Sequence, residues 1–97
     1  MNVCILESAR RHLFEGYQFY EEQALGLGRY FLRSLFADIE ALKAHAGVHA
    51  RFHGFHRLLS RRFPFAIYYL VERDAVKIHA VLDCRSDPAQ IRRRLRG

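Results

Sequence analysis

A chain of 97 residues, 51% apolar and 13% aromatic, is long enough to close one hydrophobic core and too short for two, and its aromatic content excludes a disordered tail. The formal charge of +6 is unevenly placed: residues 1–50 carry five Lys/Arg against six Asp/Glu, whereas residues 51–97 carry eleven against four. Ten of those eleven are arginine, whose planar fork grips carboxylates and phosphates, so the second half expects an anionic partner, either nucleic acid or an acidic protein segment.

The apolar run from Phe63 to Val71 falls far short of the ~20 residues of a membrane-spanning helix. Met1-Asn2-Val3-Cys4-Ile5-Leu6 lacks the basic start and long apolar stretch of a signal peptide. A cytoplasmic protein with no membrane partner is expected. Cys4 and Cys84, far apart and inside apolar runs, read as reduced core thiols rather than a disulfide or metal pair.

In chain order, Val3 to Leu6 reads as a short strand, followed by Ser8 as a helix N-cap. Leu13, Tyr17, Tyr20 and Ala24 recur at helical spacing and predict a helix over Ser8 to Ala24. Gly26-Leu27-Gly28 permits a tight reversal, and Phe31, Leu35, Ile39 and Leu42 stripe a second helix to about Ala44. The two form an αα-hairpin. Past Gly47 the residues turn β-branched and aromatic, with breaks at Phe63-Pro64 and Arg73-Asp74, which predicts three strands, Phe55 to Arg62, Phe65 to Glu72 and Val76 to Arg85, in an antiparallel meander. In the last of these Val76, Ile78, Ala80, Leu82 and Cys84 alternate with Lys77, His79, Val81, Asp83 and Arg85, giving one oily face for the hairpin to bury and one charged face. Asp87-Pro88 opens a short Arg-rich helix from Ala89 to Leu95. The fold class is α+β, in a single domain over residues 1–97.

The candidate site is the charged face. Arg57, Arg61, Arg62 and Arg85 offer an anion-binding surface, with the bland alternative of solvated charges that keep a sheet from aggregating. Arg92, Arg93, Arg94 and Arg96 extend that surface or simply complement a helix C-terminus. His79 beside Asp83 and Arg85 has the chemistry of a general base. Tyr68 and Tyr69 must face opposite ways, one into the core and the other free to stack on a base or a partner's side chain. Asp83 and Asp87 suit orienting Arg85 and capping the last helix. His45, His49, His53 and His56 would align on a continuous helix as metal ligands, but Gly47 and Gly54 interrupt it and no carboxylate or thiol is near. No metal or other cofactor is expected.

Several strings in this order, Phe19-Tyr20 with Gly26-Leu27-Gly28, His56-Arg57, Arg62-Phe63-Pro64-Phe65-Ala66-Ile67-Tyr68-Tyr69 and Val81-Leu82-Asp83-Cys84-Arg85-Ser86-Asp87-Pro88, give a chain that resembles the RelE/ParE superfamily of type II toxins over nearly its whole length. That resemblance implies a toxin silenced by a cognate antitoxin in a hetero-oligomer. It also implies one of two targets: messenger RNA on the ribosome, cut by an endoribonuclease, or DNA gyrase. Where RNA-cleaving members carry cleft cations on the first and second meander strands, this chain aligns Leu59 and Ala66, and Ala89 to Gly97 holds neither Tyr nor His. The resemblance therefore points to the ParE-like branch, a non-enzymatic gyrase inhibitor whose target- or antitoxin-binding residues are Arg57, Arg61, Arg62, Tyr68 and Arg85. In the alternative, ribonucleolytic reading, Arg57, Arg61, Arg85 and His79 would be catalytic.

Overall fold

The computed structural model describes residues 1–96. In chain order the elements are β1 (Asn2–Ile5), α1 (Glu7–Gln23), α2 (Leu27–His45), β2 (Arg51–Phe52), β3 (Phe55–Leu59), β4 (Phe65–Glu72), β5 (Ala75–Asp83) and α3 (Pro88–Arg96). The sheet has five strands in the order β1-β5-β4-β3-β2. The expected meander is its β3-β4-β5 core. At one edge β1 pairs parallel to β5, with Asn2 opposite Ala75 and Ile5 opposite Ile78. At the other, the two-residue β2 folds back on β3. Neither edge pairing could be read from the chain, because β1 meets β5 across the whole hairpin and β2 is too short to show a period.

The helical hairpin forms as its stripe predicts. Phe31, Leu35, Ile39 and Leu42 are buried, and on α1 the buried set is Ala9, Leu13, Gly16 and Tyr20. The α1 face is turned so that Gly16 is buried against Phe31 of α2, while Tyr17 is half-buried beside Gly28 and Ala24 is exposed. Between the helices Gly26 takes φ 89°, a left-handed conformation that costs a side-chain-bearing residue about 1 kcal/mol or more. Its N–H and that of Gly28 donate to the Glu21 carboxylate at 3.0 and 2.9 Å, so the turn is tied from within α1. Ser8 does not cap α1, which starts one residue earlier. Its hydroxyl instead donates to the His79 carbonyl at 2.7 Å, joining the helix to β5.

The hairpin covers one sheet face and creates the main core, where Phe31 packs edge-on against Phe63 and Phe65 with ring centroids 5.1 and 4.9 Å apart. Burying each such ring contributes roughly 1.5–3 kcal/mol. The expected strict alternation along β5 fails at one place. Tyr68 lies opposite Ala80 and Tyr69 opposite Ile78, so His79 is an extra residue in a β-bulge. The bulge reverses the phase: Val76, Ile78 and Val81 face the hairpin, while Ala80 and Leu82 face the other way. That second face is apolar too. Ala66, Tyr68, Ala80 and Leu82 form a smaller cluster covered by Ile91 and Leu95 of α3, a cover that the alternating pattern gave no reason to expect.

The cysteines also depart from expectation. Both are free and exposed: Cys4 on the outward side of the edge strand β1, Cys84 just past the end of β5. An apolar stretch at a strand edge or end is not the same as a core position. No helix among the described residues is long and apolar enough to cross a membrane.

Candidate functional site

The residues expected to form one basic surface occupy three places. Arg57 and Tyr68 are register partners across β3 and β4 on the face that α3 borders. The Arg57 guanidinium lies 3.7 Å above the centre of the Phe52 ring, so β2 serves as its platform. Burial pushes the Tyr68 hydroxyl up from its ordinary value, with Arg57 working against the rise. Two residues along the same pair of strands, Leu59 faces Ala66. Leu59 and Ala66 are therefore a cross-strand apolar pair on the Arg57–Tyr68 face.

Arg61 and Arg62 are not strand residues, because β3 ends at Leu59. They sit in the β3–β4 turn, held against α2. The buried Asp38 carboxylate accepts from the Ser60 hydroxyl at 2.8 Å and from the Arg61 N–H at 3.3 Å. Arg62 donates to the Tyr30 hydroxyl at 3.0 Å. Arg85 lies elsewhere again, forked onto Asp83 by Nε–Oδ1 and Nη2–Oδ2 contacts of 3.0 and 2.8 Å, beside the Tyr20 phenol. The hydrogen bonds from Arg85 hold the Asp83 carboxyl below the usual carboxylate range, and Asp83 in turn raises the guanidinium. The Asp87 carboxylate accepts from the Ala89 N–H at 3.0 Å, capping α3.

His79 packs its ring 5.0 Å from Phe55, with Glu72 and Lys77 as its charged neighbours. Its Nε2 is buried without a hydrogen-bond partner, and burial lowers its pKa. Arg57, Arg61, Arg85 and His79 thus each have a different set of neighbours. Burial pushes the Cys84 thiol near Arg57 up, which keeps it neutral. Arg94 pairs with Glu15 at 3.1 Å, pinning α3 to α1.

Histidines 45, 49, 53 and 56 fall on the end of α2, a loop, a turn and β3. Two of them meet the fully buried Tyr69. Its hydroxyl accepts from the Gly47 N–H at 3.0 Å and bonds His49 Nδ1, while His56 stacks on the ring and donates from Nδ1 to the His49 carbonyl at 2.7 Å. This latch was invisible in the sequence. Asp38, three residues after Leu35 and four before Leu42, is buried with that stripe, and this helical spacing is the signal that could have found it.

One further surface is apolar. Strand β1 and the two long helices frame a groove of about 560 Å³ lined by Val3, Ile5, Leu13, Phe14, Leu32 and Phe36. Phe14 and Phe36 are 58% and 45% exposed, and the outer edge of β1 is unpaired.

A strand, a helical hairpin and a β-meander closed by a short C-terminal helix make this an α+β fold of the RelE/ParE type. No family model matches the sequence, and no curated protein sequence matches it significantly. Among solved structures, a chain described as "Chromosomal ParDE TA system from P. aeruginosa" matches with a TM-score of 0.68, covering 84% of this chain and 92% of that one at 19% identity. At that identity the likeness is one of fold.

Proposed function

We propose that this chain is the toxin of a type II toxin–antitoxin pair, a ParE-like inhibitor of DNA gyrase acting in the cytoplasm and neutralised by a cognate antitoxin in a hetero-oligomer. The observation that carries the choice of target is the Leu59–Ala66 pair beside Arg57 and Tyr68. A nuclease needs several cations and a proton-transfer group converging on one phosphate. Here the cleft face has Arg57, an apolar pair and an unpartnered, neutral-leaning His79. The arrangement suits binding rather than phosphodiester cleavage. The apolar groove beside the open edge of β1 supports the antitoxin part of the reading: it fits an amphipathic segment with an extended stretch along the strand, and the chain's net charge of +6 favours an acidic one.

The test is a supercoiling assay with purified toxin. Inhibition of gyrase, relieved by the product of the adjacent short reading frame, is the expected result. Unaffected supercoiling at excess toxin, together with cleaved transcripts in cells expressing it, would transfer the chain to the endoribonuclease branch.

A further inference from the structure

Between α2 and the β3–β4 turn runs a polar groove of about 610 Å³ lined by Tyr30, Arg33, Ser34, Asp38, Arg61 and Arg62, among others. We propose that this groove binds a nucleic acid strand, with Arg33, Arg61 and Arg62 on its phosphates and Tyr30 as a stacking platform. The inference goes beyond the toxin reading and does not depend on it.

Charge comes first. Among the described residues the side-chain ion pairs are Lys43–Glu40, Lys77–Glu72, Arg85–Asp83 and Arg94–Glu15, so the three groove arginines have no carboxylate partner. Asp38, the one acid in the groove, is only 7% exposed, and its carboxylate is engaged by the Ser60 hydroxyl and the Arg61 N–H. Asp38 fixes the turn and leaves the Arg61 side chain free to point at a ligand.

Shape comes second. The α2 wall from Tyr30 to Ala41 extends about 16 Å at 1.5 Å per residue, long enough to lie beside several phosphates. Between the rim arginines its surface is made of Ser34, Ala37 and Ala41, so a chain can approach the helix closely. The rim is also rigid: Phe63, next to Arg62, packs on Tyr30 and Phe31 at 5.5 and 5.1 Å. Tyr30 chooses between anions. The residue is 43% exposed, with the Arg62 guanidinium 5.9 Å from the ring centre and bonded to the hydroxyl. An aromatic face flanked by a guanidinium suits an unstacked base and offers an acidic peptide little.

Fluorescence anisotropy of the whole chain with a short single-stranded DNA oligonucleotide tests this. The oligonucleotide should bind with an affinity that falls linearly in log–log form with salt. Replacing Arg33, Arg61 and Arg62 together by Gln should reduce the slope by about 2, at about 0.7 per phosphate contact. Tyr30→Leu should weaken binding about fivefold or more at an unchanged slope, and Tyr30→Phe should not. Thermal melts confirm that each variant is folded. Three results would overturn the proposal: no binding by the wild type, an equal slope change when Arg92, Arg93 and Arg96 of α3 are replaced instead, or equally tight binding of a poly-glutamate peptide with the same loss in the triple variant. Gyrase inhibition is scored separately, and its absence leaves this result untouched.

Discussion

Gly16 of α1 lies so close to the ring of Phe31 on α2 that a Cβ placed there would come within 2.5 Å of a ring carbon. The ring cannot yield easily, because Tyr20, Phe63 and Phe65 surround it. Gly16→Ala should therefore destabilise the protein by about 1–3 kcal/mol through overpacking, although alanine is the better helix former by about 1 kcal/mol. Urea denaturation reads the sign. A stabilised variant would mean that the hairpin can open without cost.

Asp38→Ala removes the acceptor for the Ser60 hydroxyl and the Arg61 N–H. A loss of about 1–3 kcal/mol is expected, with faster hydrogen exchange in residues 60–63 than in the hairpin. Uniform exchange across the chain would show that Asp38 does not brace the turn.

His79→Leu should leave stability unchanged or raise it, because the buried Nε2 has no partner to lose and its desolvation is relieved. The pH profile adds a signed test. Burial holds the folded-state pKa of His79 below its ordinary 6.5. The unfolded chain thus takes up a proton that the folded one resists, and stability falls as pH drops from about 6.5 toward that lower value. His79→Leu should flatten this limb. If the proposed gyrase inhibition holds, it should survive the change, whereas a general base would not tolerate it.

How far such features could be read in advance depended on the range of the interactions behind them. The stripe Phe31, Leu35, Ile39, Leu42 recurs every three or four residues and is buried as written. The turns at Phe63-Pro64 and Arg73-Asp74 bound β4 as expected. The His79 bulge was hidden because Val81 is apolar, so residues 76–84 satisfy alternation on either side of the slip. The end of β3 was misplaced for a different reason. Ser60 and Arg61 leave the strand to meet Asp38, a contact spanning more than twenty residues that no local period encodes. Arg61 and Arg62 were thereby assigned to the same surface as Arg57, from which the turn removes them.

The Tyr69 latch titrates on its own. Burial, then the neighbouring His56 and His45, lower the pKa of His49 from 6.5. Neutral Nδ1 accepts from the Tyr69 hydroxyl, and a protonated ring cannot. The acceptor is present above about 6.5 and is lost as pH falls through the lower folded-state value, where the ring can only donate to the Tyr69 oxygen and competes with the Gly47 N–H for it. The protection factor of the Gly47 amide, whose N–H also rests on Tyr69, should drop over that interval in the wild type and stay level in His49→Gln. A level wild-type response would remove the latch.

Arg57→Gln separates packing from function. Loss of the guanidinium above Phe52 should cost about 0.5–1 kcal/mol and loosen the β2–β3 hairpin. If Arg57 contacts the target, growth inhibition should disappear in a variant that still melts cooperatively. A variant that remains fully toxic would take Arg57 out of the binding surface.

The parallel pairing of β1 with β5 also sets a timetable for synthesis. Asn2 to Ile5 leave the ribosome well before Ala75 to Ile78, their only sheet partners among the described residues. During that interval the two long helices can form by local contacts, but β4 and β5, which floor them, are still missing. A nascent chain stopped before β5 has neither a neighbour for its first strand nor a surface on which to seat the hairpin. Whatever this fold does to a cell therefore begins only after translation has passed β5, and a partner that recognises the finished groove has nothing to hold before then.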